Sequence, residues 1–397
     1  MKDMRSIIGF FVIFLASCTQ RESMDELTAR VFSLAQRQYT AMDAELSGNT
    51  LPRSAAPDGS LLTSNIRWWC SGFYPGSLWY IYEYTHNEHI RRLAEKHTLK
   101  LDSIQYVTTD HDVGFQINCS YGNAFRLTGD EAFKPVLYRA AQSLATRFNP
   151  VAGVLRSWDF VRERRNWKYP VIIDNMMNLE LLMSASELFA DDSLRHIACT
   201  HANTTLQNHF REDDTSYHLV DYDPCTGQVR SKQTVQGFSD GSTWSRGQAW
   251  ALYGYTMIFR TTNYQNYLFQ AQNIADMLLH RLPPDGIPYW DFDAPDKPQA
   301  PRDASAAAIM AAAFVELSRY APEISAKNAY LGMAEKQIRT LASAEYLAGP
   351  GENAGFILKH SVGSFPDNSE VDVPLTYADY YFLEALVRFK KILSTRN

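Results

Sequence analysis

The sequence has little that would serve nucleic-acid binding, zinc binding or a disulfide scaffold. Its 38 basic residues are outnumbered by 44 acidic ones, for a net charge of −6, so no global positive field favours a nucleic acid as partner. Its five cysteines lack CxxC spacing, which argues against a zinc site and against a dense set of disulfides. With 45% apolar and 21% charged residues, the chain also lacks the composition of a disordered or polytopic membrane protein. We therefore expect a globular protein with no cofactor, no metal ion and no nucleic-acid partner.

The first residues carry the pattern of a secretion signal. Lys2 and Arg5 precede an apolar run from Ile7 to Ala16, which is about half the length of a bilayer span. The run ends in Leu15-Ala16-Ser17-Cys18, which resembles the lipobox of bacterial lipoproteins. That resemblance implies that residues 1–17 are removed as a signal peptide. A plain secretory signal is the alternative.

The same resemblance implies that Cys18 is acylated and tethers the protein to a membrane. Residues 18–22 would then form a short anchor, followed by a single catalytic domain over residues 23–397. Thr19 is not the aspartate associated with retention at the inner membrane, so we expect a lipid-anchored protein at the outer membrane.

Twelve segments have helical periodicity, and their connectors alternate between short and long. The predicted helices cover about 23–46, 75–85, 87–103, 114–128, 130–148, 175–189, 192–212, 244–261, 264–281, 304–320, 323–346 and 374–394. Only a few residues follow every second helix, as in tight helical hairpins. Six such hairpins close naturally into an all-α (α/α)6 barrel, because an open array would leave its two ends exposed. An open solenoid is the alternative.

The long connectors of such a barrel all fall at one end, which we expect to be the functional face. An alternating run from Tyr217 to Tyr222, with a turn and a return through Val229, predicts a small β-hairpin over this face. Aromatic residues make up 13% of the chain, and their flat faces suit a sugar-binding cleft.

Two aspartates open inner helices at this face. Asp112 precedes the fourth predicted helix and Asp174 the sixth, as Asp303 and Asp372 precede two others. Each of them could simply cap its helix, a contribution of about 1 kcal/mol. In a ring, however, these helix ends converge, and two neighbouring carboxyls raise one pKa so that one group stays protonated while the other ionises. The sequence therefore indicates a pair of carboxyls able to perform acid–base chemistry.

Arg246 and Trp250 lie four residues apart, on one face of the eighth predicted helix. A guanidinium beside an indole can bind a carboxylate and stack on a sugar. An ion pair between helices over a core tryptophan is the alternative.

Six motifs along the chain resemble unsaturated glucuronyl hydrolases of glycoside hydrolase family 88. The likeness spans about residues 69–386, and the family fold is an (α/α)6 barrel. The motifs are Ser71-Gly72-Phe73-Tyr74-Pro75-Gly76, His111-Asp112-Val113-Gly114-Phe115, Asp174-Asn175-Met176-Met177-Asn178-Leu179, Ser239 to Trp250, Arg302-Asp303-Ala304-Ser305-Ala306-Ala307 and Asp372 to Tyr381.

The resemblance implies a substrate with a 4,5-unsaturated uronic acid at its non-reducing end, which polysaccharide lyases leave. In the family, an aspartic acid at the Asp174 position protonates C4 of the enol ether and water adds at C5. The hemiketal then opens and expels the remaining sugar. One carboxyl can serve as acid and then as base. Asp112 corresponds to the second essential carboxylate, which holds ring hydroxyls and raises the pKa of its partner.

The resemblance also implies which residues contact the substrate. For the unsaturated sugar these are His218, Thr234, Gln236, Arg246 and Trp250, with Trp69, His111 and Trp158 nearby. Ser361 and Ser364 lie in a stretch similar to the loop that contacts the next sugar. Relatives carry a lysine with such serines, a set that suits a sulfate, whereas Phe365 and Pro366 follow Ser364 here.

Three functions remain open at this point. The first is hydrolysis of lyase-generated glycosaminoglycan oligosaccharides of chondroitin, hyaluronan or heparin type. The second is the same chemistry on pectin fragments, as in unsaturated rhamnogalacturonyl hydrolases. The third is a lipoprotein that binds glycans without turnover, although binding alone needs no proton donor.

Overall fold

The computed structural model describes residues 21–159 and 165–394. The predicted signal segment and Cys18 lie outside the described residues. None of the helices within the described ranges is long and apolar enough to cross a membrane.

Twelve long helices within the described residues match the twelve predicted segments. They are α1 (Met24–Glu45), α2 (Phe73–Thr85), α3 (Glu88–Leu99), α4 (Val113–Ile117, a π-turn at Asn118–Gly122, then Asn123–Thr128), α5 (Lys134–Ala145), α6 (Asn175–Phe189), α7 (Asp192–Asn208), α8 (Ser245–Thr262), α9 (Gln265–Arg281), α10 (Ala304–Leu317), α11 (Ile324–Leu341) and α12 (Thr376–Ser394). The predicted capping box opens α1, where Ser23 and Glu26 each accept from the other's backbone N–H. Four helices end several residues before their predicted C-terminal ends, namely α3, α5, α7 and α11.

The even-numbered helices form the inner ring. Each of α2, α4, α6, α8, α10 and α12 packs on the next, and α12 packs on α2, which closes the circle. The odd-numbered helices pack outside them. Every residue of α10 is buried, because its alanine-rich sequence lets both neighbours approach closely. The predicted (α/α)6 barrel is therefore confirmed, and the open solenoid is wrong.

All strands in the described residues lie in connectors that lead into inner helices. They are β1 (Thr50–Ala55), β2 (Leu61–Asn65), β3 (Phe148–Asn149), β4 (Val154–Leu155), β5 (Tyr169–Ile172), β6 (Leu219–Tyr222), β7 (Val229–Gln233), β8 (Ser361–Ser364) and β9 (Ser369–Val373). The predicted hairpin is β6–β7, and β5 joins it as a third antiparallel strand.

The pairs β1–β2, β3–β4 and β8–β9 were not predicted from the sequence. They are short, and β8 reads Ser-Val-Gly-Ser, which has no clear alternation of apolar and polar residues. Pairing with the neighbouring strand and docking on the barrel define these segments rather than local preference.

Candidate active site

The N-terminal ends of the inner helices surround one mouth of the barrel, and the connectors that lead into them cover it. Isolated β-bridges tie these connectors to each other, between Asp110 and Trp158 and between Trp244 and Asp291. The long connectors therefore meet at one end of the ring, as predicted.

Asp112 and Asp174 occupy the cap positions of α4 and α6, but neither side chain caps its helix. Asp303, by contrast, accepts from the backbone N–H groups of Ser305 and Ala306 and is a true cap of α10. Asp372 accepts instead from His360 Nδ1, at 2.6 Å. Capping therefore explains Asp303, whereas the carboxyls of Asp112 and Asp174 are available for another role.

The two available carboxyls lie close enough for the charge of Asp174 to raise the pKa of Asp112. Only 13% of the Asp112 side chain and 14% of the Asp174 side chain is exposed. Burial raises the pKa of Asp112 well above its usual range, and the negative charges of Asp110 and Asp174 add to this rise. Burial also raises the pKa of Asp174 to about 7, against the opposing effect of the Arg246 guanidinium. At neutral pH the Asp174 carboxyl can therefore both hold and release a proton.

A tight contact between α4 and α6 fixes the relative position of the two carboxyls. Asn178 Oδ1 accepts from the Phe115 N–H at 2.8 Å. A Cβ atom added at Gly114 would lie 2.4 Å from that same Oδ1, so only glycine permits this approach. The motif residues around the aspartates thus hold their two helix ends together.

His218 faces Asp174 as a neutral ring. Burial, with the charge of Arg246, lowers the pKa of His218 to about 3. Its Nδ1 accepts from the backbone N–H groups of Val235 and Gln236 at 3.0 and 3.2 Å. The proton of the neutral ring is therefore on Nε2, which lies 3.9 Å from Asp174 Oδ2. His218 thus presents a donor to the carboxyl without adding a positive charge.

Arg246 is fully engaged by neighbouring groups. Its guanidinium lies 3.3 Å from Asp303 Oδ2 and donates to the carbonyls of Val362 and Gly363 on β8, the latter at 2.5 Å. It also lies over the Trp244 ring, 4.6 Å from the ring centre. The ion pair that the sequence left open as an alternative is therefore present, between Arg246 and Asp303. The positive charge of Arg246 still lowers the pKa of Asp174.

Trp250 contacts the site through its indole N–H. The side chain is fully buried and packs on Phe115 and Tyr381, so neither ring face is open for stacking on a sugar. The indole lies near Asp174 and lowers its pKa. However, Nε1 does not meet hydrogen-bond geometry with any described residue.

The other predicted aromatic residues are distributed around the mouth. Trp158 lies edge-to-face with both His111 and His218, with ring centres 6.4 and 6.3 Å apart. Trp69 is half-buried against Tyr377 on α12, at 4.9 Å. His111 is buried, with Nε2 3.4 Å from Asp112 Oδ1, and burial lowers its pKa to about 3. The structure thus groups His111 and Trp158 with the carboxyl pair, and Trp69 with α12.

Thr234 and Gln236 lie on the loop after β7, and two aspartates that the sequence analysis did not single out support this loop. Asp240 Oδ1 accepts from the Thr234 N–H at 2.8 Å. Asp291 Oδ2 accepts from the Phe238 N–H and the Ser242 hydroxyl, at 2.9 and 2.7 Å. Asp240 lies within a recognised motif, whereas Asp291 has no sequence signal of its own.

Ser361 and Ser364 lie on β8, which Arg246 holds at the mouth. Ser361 is buried, and its hydroxyl has no hydrogen-bond partner among the described residues. The Ser364 hydroxyl donates to Asp367 Oδ2 at 2.7 Å. A carboxylate therefore lies beside Ser364, on the loop between β8 and β9.

No group of three or more His, Cys, Asp or Glu side chains within the described ranges could hold a metal ion. The chemistry that these side chains themselves can perform is proton transfer by a coupled carboxyl pair. The fold alone does not fix a function, but a carboxyl pair in the aromatic-lined mouth of an (α/α)6 barrel is the arrangement of an enzyme that acts on carbohydrates.

The chain belongs to Glycosyl Hydrolase Family 88, whose family model matches residues 46–381, and it is a glycosidase. It is similar to the unsaturated glucuronyl hydrolase of Formosa agariphila, with 42% identity over 91% of this chain and 90% of that protein. The unsaturated chondroitin disaccharide hydrolase of Streptococcus agalactiae is 32% identical, over 81% of both chains. A solved unsaturated glucuronyl hydrolase specific for heparin superposes with a TM-score of 0.90 and 45% identity, covering 93% of this chain and 98% of that one.

Proposed function

We propose that this glycosidase removes the 4,5-unsaturated uronic acid from the non-reducing end of lyase-generated glycosaminoglycan oligosaccharides. The activities named for its relatives support this substrate class. The observation that carries the proposal is the Asp174 carboxyl, whose pKa of about 7 suits a group that gives and regains a proton at neutral pH. The unsaturated oligosaccharide is the only partner that this activity requires.

The reaction begins when protonated Asp174 gives its proton to C4 of the enol ether. The resulting carboxylate then takes a proton from the water that adds at C5. The hemiketal opens, the remaining sugar leaves, and Asp174 is again protonated. Asp112 binds a ring hydroxyl of the sugar, and neutral His218 directs its Nε2–H toward the Asp174 carboxyl.

The first test uses protein lacking residues 1–18 and unsaturated disaccharides from chondroitin, hyaluronan, heparin and pectin lyases. Loss of the ultraviolet absorbance of the conjugated double bond, with release of the second sugar, is the expected result on glycosaminoglycan disaccharides. Turnover of the pectin disaccharide alone would support the rhamnogalacturonyl alternative. Binding without turnover would support a glycan-binding lipoprotein.

Sulfation next to the scissile bond is expected to slow the enzyme. A sulfate near Ser364 would meet the Asp367 carboxylate, and repulsion between two anions costs about 1 kcal/mol or more at close range. We expect about tenfold lower kcat/KM for a 6-sulfated chondroitin disaccharide than for the unsulfated one.

The variant Asp367→Asn should raise kcat/KM for the 6-sulfated disaccharide toward the value for the unsulfated one. The kcat/KM for the unsulfated disaccharide should stay unchanged. Equal rates on both substrates for the unsubstituted enzyme would contradict this proposal. A ratio that Asp367→Asn does not alter would assign the discrimination to another residue.

We also propose that Cys18 carries a lipid that anchors the enzyme at the outer membrane. The support is the lipobox-like stretch that ends at this cysteine. The full chain, expressed in a bacterium fed an alkyne fatty acid, should incorporate the label and sediment with outer membranes. Cys18→Ala should abolish labelling; equal labelling of both proteins would contradict acylation at this position.

A further inference from the structure

Arg53 on β1 has a guanidinium that its neighbours use only in part. The group lies over the Trp68 ring, 4.0 Å from the ring centre, and its Nε donates to Glu370 Oε1 at 2.6 Å. Within residues 21–159 and 165–394, the structure gives neither Nη1 nor Nη2 a hydrogen-bond partner. These two groups form the fork that binds a carboxylate or a sulfate in bidentate fashion. The fork of Arg53 is therefore open.

The Arg53–Glu370 pair lies at the edge of the mouth, where two connectors meet. Arg53 belongs to the connector between α1 and α2, and Glu370 to the connector between α11 and α12. Glu370 covers Gly363 on β8 so closely that a Cβ atom added at this glycine would lie 2.7 Å from Glu370 Oε2. The Gly363 carbonyl accepts from Arg246 at 2.5 Å. The pair is thus packed against the strand that Arg246 holds at the mouth.

Backbone irregularities on both strands bring the two side chains together. The pairing of β1 with β2 skips Arg53, and bulges of this kind re-aim a side chain next to active sites. Glu370 has a φ of 56°, in the left-handed region that residues with a side chain rarely adopt. The salt bridge is not needed to join the two connectors, because the Ser54 hydroxyl already donates to the Pro374 carbonyl at 2.8 Å. These features favour a role for the pair beyond holding the fold.

We propose that Arg53 binds an anionic group on the leaving part of the oligosaccharide, either a sulfate or the carboxylate of a second uronic acid. This rests on the proposed function and on the placement of the next sugar along β8, which the family resemblance implies. With 22% of its side chain exposed, Arg53 is open to a ligand yet partly shielded from water. Glu370 offsets part of its charge, which keeps the anion weakly bound and lets the product leave.

The charge of Arg53 reaches the interior of the site and is separate from the charge at the hairpin turn. Burial raises the pKa of the Cys70 thiol, while the charge of Arg53 lowers it and that of Asp112 raises it. Asp367 lies in the turn between β8 and β9, whereas Glu370 lies on β9 itself. A 6-sulfate repelled by Asp367 and an anion bound by Arg53 are therefore different groups of the substrate.

Two matched pairs of unsaturated substrates distinguish the two sources of the anion. The first pair is the heparin disaccharide with either an N-acetyl or an N-sulfate group on the leaving sugar. The second is the unsulfated chondroitin disaccharide and tetrasaccharide, of which only the tetrasaccharide has a second carboxylate. The measured quantity is the ratio of kcat/KM for the substrate with the extra anion to kcat/KM for its reference. A purely structural defect lowers both rates alike and leaves this ratio unchanged.

Arg53→Gln should lower at least one of the two ratios by about tenfold, since a hydrogen bond between charged groups contributes about that factor. The matched control is Arg126→Gln. Arg126 lies over the Tyr80 ring and pairs with Glu83 at 2.6 Å, but at the opposite end of the barrel. This control breaks the same kind of pair and should leave both ratios unchanged.

Glu370→Gln keeps an oxygen that can accept from Arg53 Nε but removes the charge that competes with the substrate. It should therefore raise the ratio that Arg53→Gln lowers. Both ratios unchanged in Arg53→Gln, with thermal unfolding showing a folded protein, would overturn the proposal. If Arg53→Gln does not fold, Glu370→Gln decides, and a failure of both ratios to rise overturns the proposal. Absence of turnover of every substrate by the unsubstituted enzyme would instead refute the proposed function.

Discussion

Replacement of Asp174 by asparagine is expected to lower kcat by a factor of about 10⁴ while the barrel stays folded. Asparagine cannot give a proton to C4 or take one from water, and a positioned acid or base contributes up to about 10⁴-fold. Substrate affinity should change little, since the amide has nearly the shape of the carboxyl. Asp174 makes no cap hydrogen bond that would be lost. Removal of a buried carboxyl with a raised pKa should leave the free energy of unfolding equal or higher, as at many functional sites.

The matched control is Asp379→Asn. Burial raises the pKa of Asp379 to about 7 as well, but its carboxylate accepts from the N–H groups of Ile357 and Leu358 and from the Tyr39 hydroxyl. This control should lower stability and leave the turnover of the folded fraction intact. Turnover in Asp174→Asn within tenfold of the unsubstituted enzyme would contradict the assigned role.

The pH dependence of kcat/KM follows from the Asp174 carboxyl. Asp174 must begin each cycle protonated, and its pKa of about 7 means that this fraction falls as pH rises through neutrality. Burial and the negative charges of Asp110 and Asp174 raise the pKa of Asp112 as well, so the two carboxyls titrate as a pair. The alkaline limb of kcat/KM therefore belongs to the coupled pair, with an apparent pKa near 7.

The outer helices could be predicted from the sequence because each buries one face, and periodicity records that face directly. The inner helix α10 is buried on every side, and its alanine-rich sequence indicated a helix instead. The positions of Asp112 and Asp174 followed from the same pattern, since helix starts converge in a closed ring. Whether they act as caps could not be predicted. Asp303 caps α10, whereas the other two do not, and their surroundings rather than their sequence positions decide this.

The contacts that hold the loops of the site in place could not be predicted from the sequence. Asp291 holds the loop after β7 from a different connector, and β8 is fixed by a side chain of α8. Both contacts join segments distant in the chain and have no local periodicity. For Trp250, the sequence pattern suggested an open stacking face, but packing on Phe115 and Tyr381 buries the ring.

Replacement of Arg246 by methionine is expected to have the largest effect on stability. Asp303 is fully buried, and the cation that the structure pairs with it is Arg246, at 3.3 Å. Removal of one member of a buried ion pair leaves the other uncompensated and costs about 3–5 kcal/mol. The carbonyls of Val362 and Gly363 also lose their donors, so β8 should detach from α8. Chemical denaturation should show a lower midpoint with an unchanged slope.

A second substitution separates charge from packing in this prediction. Adding Asp303→Asn to Arg246→Met removes the uncompensated charge, so the double variant should recover part of the lost stability.

Arg246 also lowers the pKa of Asp174, so in Arg246→Met the carboxyl should stay protonated to higher pH and the alkaline limb should move upward. Arg246→Lys keeps a positive charge and should leave the limb near its original position, even where stability falls. An alkaline limb that stays in place or moves downward in Arg246→Met would show that the guanidinium does not lower the pKa of Asp174, and would leave it with the structural role alone.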